Sequence, residues 1–116
     1  MPAKVRRLAA LVVSAGLFWT TCALAAHNTG NALFDSCNNP SDTSKQSYCL
    51  GYVAGVSEVL EGMHIICTWG RLSPDQIKDE VVKYLREHPE QRNMDADDLT
   101  SIALALAFPC GRPHQQ

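Results

Sequence analysis

Cysteine placement constrains this sequence more than any other feature, because a small exported chain depends on disulfides for much of its stability. The chain of 116 residues has five cysteines. Cys22 lies in an N-terminal leader that export would remove, and the folded part keeps Cys37, Cys49, Cys67 and Cys110. An even number of cysteines in about 90 exported residues is typical of two disulfides. No two cysteines have the Cys-x-x-Cys spacing of zinc sites, so we predict two disulfides, no metal site and no cofactor.

The N-terminus has the three-part pattern of a secretory signal peptide. Three basic residues precede an apolar run over residues 8–18, and the small-residue string Ala-Leu-Ala-Ala follows at residues 23–26. The apolar run is shorter than the roughly 20 residues needed to span a bilayer, which argues against a stable membrane anchor. We therefore expect residues 1–25 to be a cleaved signal peptide, residues 26–116 to form one domain, and the mature protein to be exported.

Removal of the leader would make the protein acidic. The full chain has 10 Lys plus Arg and 12 Asp plus Glu, with a formal charge of −2. Three of those basic residues lie in the leader, so seven remain against all twelve acidic residues, which gives a formal charge of −5. Nucleic acids and anionic membranes select basic surfaces. The charge therefore disfavours both as partners and favours a cationic one.

Hydrophobic spacing predicts four helices and no strand. The first helix covers residues 29–37, and a polar loop over residues 38–44 separates it from the second helix, over residues 45–63. Glycine costs about 1 kcal/mol relative to alanine inside a helix, so Gly51 and Gly55 lead us to expect a backbone or an aromatic ring packed against their face. The predicted buried stripe of this helix is Cys49, Val53, Val56, Leu60 and Met63.

The third helix begins at the capping box Ser-Pro-Asp-Gln of residues 73–76 and ends at His88, which precedes a proline. Either Asn93 or Asp95 caps the fourth helix, which ends at the Phe-Pro-Cys of residues 108–110. The sequence therefore predicts an all-α fold, a small bundle of about four helices stapled by two disulfides. The predicted inward-facing residues are Ile77, Val81, Tyr84 and Leu85 in the third helix, and Leu99, Ile102, Ala103 and Leu106 in the fourth.

The helix order also predicts which cysteines pair. Consecutive helices joined by short connections are antiparallel neighbours, so Cys37, at the end of the first helix, meets Cys49, in the first turn of the second. Cys67 follows the second helix and lies at the end of the bundle where the fourth helix finishes with Cys110. Of the three pairings that four cysteines allow, this arrangement favours Cys37–Cys49 and Cys67–Cys110.

No nucleophile, base and orienting residue can be combined into a catalytic set. The cysteines are expected to be paired, and His64 lacks a serine or free cysteine partner. His88 lies at a helix end, where an imidazolium interacts favourably with the helix dipole. The acidic residues within 95–98 lie at a helix N-terminus, where capping explains them. The sequence therefore predicts that the protein is not an enzyme.

The connection between the second and third helices is the candidate binding segment. Trp69 and Arg71 are of the residue types most enriched at binding hot spots, and His64 lies beside the turn that opens the connection. The alternative is that Trp69 covers one end of the hydrophobic core. Glu58 and Glu61, one helical turn apart, are expected to form a solvated face that can meet a basic partner.

Four segments in order resemble a known family: Tyr-Cys-Leu-Gly-Tyr-Val-Ala-Gly-Val at residues 48–56, the later Cys67, Tyr-Leu-Arg-Glu-His-Pro-Glu at residues 84–90, and Ala-Phe-Pro-Cys at residues 107–110. They resemble the Rap/Tai family of immunity proteins, which act against the peptidoglycan amidase effectors of type VI secretion. The resemblance covers nearly the whole mature chain, from about residue 30 onward.

The resemblance implies a small, all-helical periplasmic protein, often a homodimer, that blocks a papain-like amidase with a protruding loop. Its implied partner is a cognate peptidoglycan amidase effector. By position, the segment from His64 to Leu72 is the candidate inhibitory loop, and His64, Trp69 and Arg71 are its candidate partner-binding residues. An alternative from another class is an HdeA-like periplasmic acid-stress chaperone, because such proteins are also small, helical and disulfide-bonded.

Overall fold

The computed structural model describes residues 28–111, so the predicted signal peptide lies outside the described residues. No β-strand occurs among the described residues, which confirms the predicted all-α fold. The helices are α1 (Gly30–Cys37), α2 (Thr43–Gly62), α3 (Pro74–Glu87) and α4 (Ala96–Ala107), with a short 3₁₀ turn at Pro89–Gln91. None of the helices in this part of the chain is both long and apolar enough to cross a membrane.

Side-chain caps determine where the first three helices begin. The Thr29 hydroxyl accepts a backbone N–H at the start of α1, and the predicted capping box of Ser73 and Gln76 is present at the start of α3. Helix α2 begins two residues earlier than predicted, because the Asp42 carboxylate accepts the N–H of Lys45 at 3.0 Å. The acidic N-cap thus allows Thr43 and Ser44 to join the helix, although their polar composition predicts a loop.

The core lies between the four helices, and most of the predicted inward-facing residues contribute to it. Tyr84 and Val56 pack at its edge and are partly buried. The largest side chains with less than 2% of their surface exposed are those of Leu33, Cys49, Val53, Ile66, Val81, Leu85, Leu99, Thr100 and Leu104.

Three predicted core residues are exposed instead. Met63 is 63% exposed because it is the C-cap of α2 and lies in a segment, residues 62–65, that is exposed throughout. Ile102 and Leu106 are 38% and 69% exposed, and α4 buries Thr100 and Leu104 in their place. Leucine and alanine alternate near the end of α4, so apolar spacing there does not select one face.

The expectation for Gly51 and Gly55 is also wrong. Both glycines are exposed, and a Cβ atom added at either would meet nothing within 4 Å. Neither a backbone nor an aromatic ring of the described chain packs against them. The face of α2 that carries them is therefore open to solvent.

Both predicted disulfides are confirmed. Cys37 is bonded to Cys49 and Cys67 to Cys110, with Cα–Cα distances of 5.1 and 4.9 Å. The two bonds differ in environment: Cys37 and Cys49 are buried, whereas Cys67 is half-buried and Cys110 exposed. The first disulfide belongs to the core, and the second lies at the surface.

Candidate partner-binding loop

The connection over residues 63–72 begins with a sharp reversal of the chain after α2. His64 has a φ of 57°, in the left-handed region that usually favours glycine. Its N–H donates to the carbonyl oxygen of Glu61 at 3.0 Å, and the N–H of Ile65 donates to that of Leu60 at 2.9 Å. These two bonds form a Schellman motif, which satisfies the last carbonyl groups of the helix. His64 is thereby placed at the outer surface of the reversal.

The base of the loop is attached to the C-terminal end of α4. Ile66 is 1% exposed and forms an isolated antiparallel bridge with Pro109. The N–H of Cys67 donates to the carbonyl oxygen of Phe108 at 3.0 Å, and its sulfur is bonded to Cys110. A covalent bond, a backbone hydrogen bond and a buried side chain therefore hold the loop against the bundle.

The tip of the loop is a tight turn over Thr68–Arg71, closed by a bond from the Arg71 N–H to the Thr68 carbonyl oxygen at 3.2 Å. Trp69 and Gly70 have φ values of 58° and 62°, as in a type I′ turn. Glycine adopts this conformation without strain, but a bulky residue there is an outlier that costs roughly 1–2 kcal/mol. Strain of this kind is concentrated at functional sites.

The candidate partner-binding residues are all exposed. Trp69 is 69% exposed, so the structure excludes the alternative in which its ring covers the core. Met63 and Ile65 add apolar surface to the same segment, at 63% and 43% exposure. The loop thus combines an anchored base with an apolar, accessible tip.

A depression of about 250 Å³ lies beside the tip. Its wall contains Thr68, whose hydroxyl is buried and donates to the carboxylate of Glu61 at the end of α2. The depression brings His64 and Trp69 together but not Arg71, which lies outside its lining. The residues that line it are Glu61, His64, Ile66, Cys67, Thr68, Trp69 and Gly70.

Sequence reasoning identified the loop but missed the roles of Glu61 and Thr68. The sequence places Glu61 on a solvated face and gives no indication of a role for Thr68. The two residues are seven apart, across a helix end and a reversal, so no helical or strand spacing relates them. The contact forms because the base of the loop is held against the bundle, and that attachment is visible only in the folded structure.

The described surface is strongly acidic. Residues 28–111 contain six Lys plus Arg and twelve Asp plus Glu. Lys45 is paired with Asp35 at 2.6 Å, and Lys78 with Asp75 at 3.1 Å. The hydrogen bond from Lys45 to Asp35 raises the pKa of that lysine above its ordinary value. Two of the six basic side chains are thus neutralised within the chain, and the surface as a whole suits a basic partner.

A second depression, of about 260 Å³, lies between α3 and α4, where His88 and Leu106 contribute to its lining. The His88 Nδ1 is 2.9 Å from the carbonyl oxygen of Tyr84, and the two rings stack with centroids 4.1 Å apart. These contacts fix the imidazole at the end of α3. Within residues 28–111, no group of three or more His, Cys, Asp or Glu side chains is arranged to hold a metal ion.

Comparison with known protein families identifies a match over most of the described chain. The family model of Rap1a immunity proteins matches residues 29–110. The match includes all four helices, both disulfides and the loop over residues 63–72. No curated protein matches the chain.

Proposed function

This chain belongs to the Rap1a immunity protein family, and we propose that it binds and inhibits a peptidoglycan amidase effector of type VI secretion in the periplasm. Membership confirms the resemblance found in the sequence and supports an immunity role against type VI effectors. Immunity proteins are inhibitors, which fits the prediction that the chain is not an enzyme. The match favours this function over the acid-chaperone alternative.

The observation that carries the proposal is the conformation and exposure of Trp69. A large aromatic ring stands 69% exposed at the tip of a strained turn, although a smaller residue would form the same turn more easily. Tryptophan is among the side chains most enriched at binding hot spots. Its position is therefore explained by a partner that buries it.

The anchoring of the loop explains how so small a protein inhibits tightly. Association costs conformational entropy for every segment that becomes ordered on binding. The Cys67–Cys110 disulfide and the Ile66–Pro109 bridge order the base of this loop before the effector arrives. The tip enters the substrate groove of the amidase, where Trp69 fills the cleft and excludes the peptide substrate, while His64 and Arg71 contact its rim.

Two measurements test this function, both with the mature protein and the amidase encoded beside its gene. Titration calorimetry measures binding, and an activity assay measures inhibition of the amidase. Trp69→Ala should weaken binding by roughly 100-fold, the loss expected of a hot spot worth about 3 kcal/mol. Leu106→Ala is the matched control, because Leu106 is also 69% exposed but lies on α4. Wild-type affinity in Trp69→Ala, or failure of the protein to protect cells from that amidase, would overturn the proposal.

Export is a separate part of the proposal. Residues 1–25 act as a signal peptide, and the two disulfides form in the oxidising periplasm. The mature protein recovered from a periplasmic extract should begin at Ala26 or His27, as determined by intact mass. A protein recovered in the cytoplasm with its first 25 residues intact would contradict this part and leave the binding activity untouched.

Self-association is the remaining part of the proposal. The solvent face of α2 carries Tyr48, Val59 and Met63, with 47%, 60% and 63% of their surface exposed, and Gly55 lies between them. Their spacing of three and four residues, counted through Gly55 and the half-buried Tyr52, places them along one stripe. We propose that two copies of the chain pair through this stripe, which is uncharged and so compatible with its own copy.

A further inference from the structure

We propose that the depression beside Trp69 binds a basic side chain of the effector, with Glu61 as its anionic partner and the Trp69 ring as its stacking partner. The inference rests on the proposed function, since it takes the effector to be the partner, and it adds the chemistry that this partner presents. A guanidinium or an ammonium group satisfies the site. Arginine satisfies it best, because its planar fork pairs with a carboxylate and stacks on an aromatic ring.

The first support is the position of the Glu61 carboxylate. It is half-buried at the end of α2, and its Oε1 accepts the hydroxyl of Thr68, which is 6% exposed. Glu61 forms no ion pair with any Lys or Arg of residues 28–111. The structure therefore holds a carboxylate in the wall of a depression, oriented by Thr68 and uncompensated by any Lys or Arg of residues 28–111.

The second support is the aromatic ring in the same wall. Trp69 lines the depression together with Glu61, although it follows Glu61 by eight positions and a chain reversal lies between them. A cation over an indole ring is attracted by the negative face of the ring, and tryptophan gives the strongest such interaction among the aromatic residues. An anion and an indole around one depression are complementary to a cation with a flat or apolar body.

The third support is size. At about 250 Å³, the depression is smaller than the roughly 300–1,000 Å³ typical of small-molecule sites, but it accommodates the end of one long side chain. Its remaining lining includes Ile66, which suits the methylene stem of an arginine or a lysine. Arg71, the cation of the loop, lies outside the lining and so does not occupy the site.

The overall charge favours the same partner. Residues 28–111 carry twelve acidic and six basic side chains, so a basic surface is attracted from a distance and then oriented at the site. Glu58, one turn before Glu61, is exposed and outside the lining. It contributes to the attraction but not to the site, which makes it the matched control.

A titration without any effector tests the site itself. Trp69 is the single tryptophan of residues 28–111, so its indole N–H gives an unambiguous NMR signal in the mature protein. Nα-acetyl-arginine amide should shift this signal saturably, whereas the neutral isostere Nα-acetyl-citrulline amide should not. Equal shifts from both compounds, or no shift from either, would overturn the proposal.

Two variants assign the charge. Glu61→Gln keeps an acceptor for Thr68 and therefore the fold, but it should weaken binding of the arginine probe and of the effector by roughly tenfold, as for loss of a partly buried charge pair. Glu58→Gln should leave the affinity for both within about twofold, because an exposed charge contributes little. If Glu61→Gln binds the arginine probe with unchanged affinity, the proposed site is wrong. Because the probe arm uses no effector, its failure is distinguishable from failure of the proposed immunity function.

Discussion

Trp69 and Gly70 adopt left-handed backbone conformations in succession, with φ values of 58° and 62°. Asparagine and glycine are the residues that such a turn prefers, so tryptophan at the first position is unfavourable for the turn. We expect Trp69→Asn to leave the free energy of unfolding unchanged or to raise it by up to about 1 kcal/mol. Urea unfolding followed by circular dichroism measures this directly.

The same variant should lose its affinity for the effector, because asparagine forms the turn but does not fill the cleft. Trp69→Asn therefore separates the conformation of the loop from the chemistry of its tip. Gly70→Ala is the complementary control: it keeps the tryptophan but strains the turn, since alanine is disfavoured at positive φ. If Trp69→Asn destabilises the protein and still inhibits, the turn rather than the ring is the functional element.

The fold was largely predictable because its determinants are local. The capping box at Ser73 and the proline after His88 act within a few residues. The pairing of the cysteines follows from the order of the helices. The buried face of α4 was not predictable in full, because alternating leucine and alanine present apolar residues on several faces. The loop was located, but the contact of Thr68 with Glu61 joins two elements through a reversal that no spacing encodes.

The two disulfides should respond differently to a reductant. Thiol–disulfide exchange requires access to a sulfur atom, and Cys110 is exposed whereas Cys37 and Cys49 are buried. Limited dithiothreitol should therefore reduce Cys67–Cys110 first. Alkylation of the released thiols followed by peptide mass spectrometry identifies the bond that opens. Earlier labelling of Cys37 and Cys49 would contradict the prediction.

Removal of each disulfide should also cost different amounts of stability. The bonds span 12 and 43 residues, and loop-closure entropy gives about 3 kcal/mol for the shorter ring and about 4 kcal/mol for the longer. We expect Cys67→Ser with Cys110→Ser to lower the free energy of unfolding more than the other paired substitution, and to increase hydrogen exchange in residues 63–72. A larger loss for the Cys37–Cys49 pair would show that burial in the core outweighs chain entropy here.

Gly30 should be the glycine that tolerates alanine least. It is buried, its N–H donates to the carbonyl oxygen of Met94 at 2.9 Å, and an added Cβ would lie 3.1 Å from the Arg92 Cα and against the Leu99 side chain. Overpacking of this kind costs about 1–3 kcal/mol. Gly30→Ala should lower the free energy of unfolding by that amount, as measured by urea unfolding.

Gly51→Ala is the matched control for that substitution. A Cβ there meets nothing within 4 Å, and alanine is favoured over glycine in a helix interior by about 1 kcal/mol. The variant should therefore be more stable than the wild type at a concentration where the protein is monomeric. A loss of stability in Gly51→Ala would mean that its face of α2 is covered even in the monomer.

The stripe of Tyr48, Gly55, Val59 and Met63 on α2 leads to the last prediction, which concerns the oligomeric state. Val59 is 60% exposed, so a charged residue there does not disturb the core of the monomer. In a symmetric pair of antiparallel helices, however, Val59→Glu introduces a like charge on each copy and desolvates both. Sedimentation equilibrium should show a dimer for the mature wild type and a monomer for Val59→Glu. Leu106 is an exposed apolar residue on α4, and Leu106→Glu should leave the dimer intact. If the dimer instead survives Val59→Glu but not Leu106→Glu, the interface lies at the groove between α3 and α4.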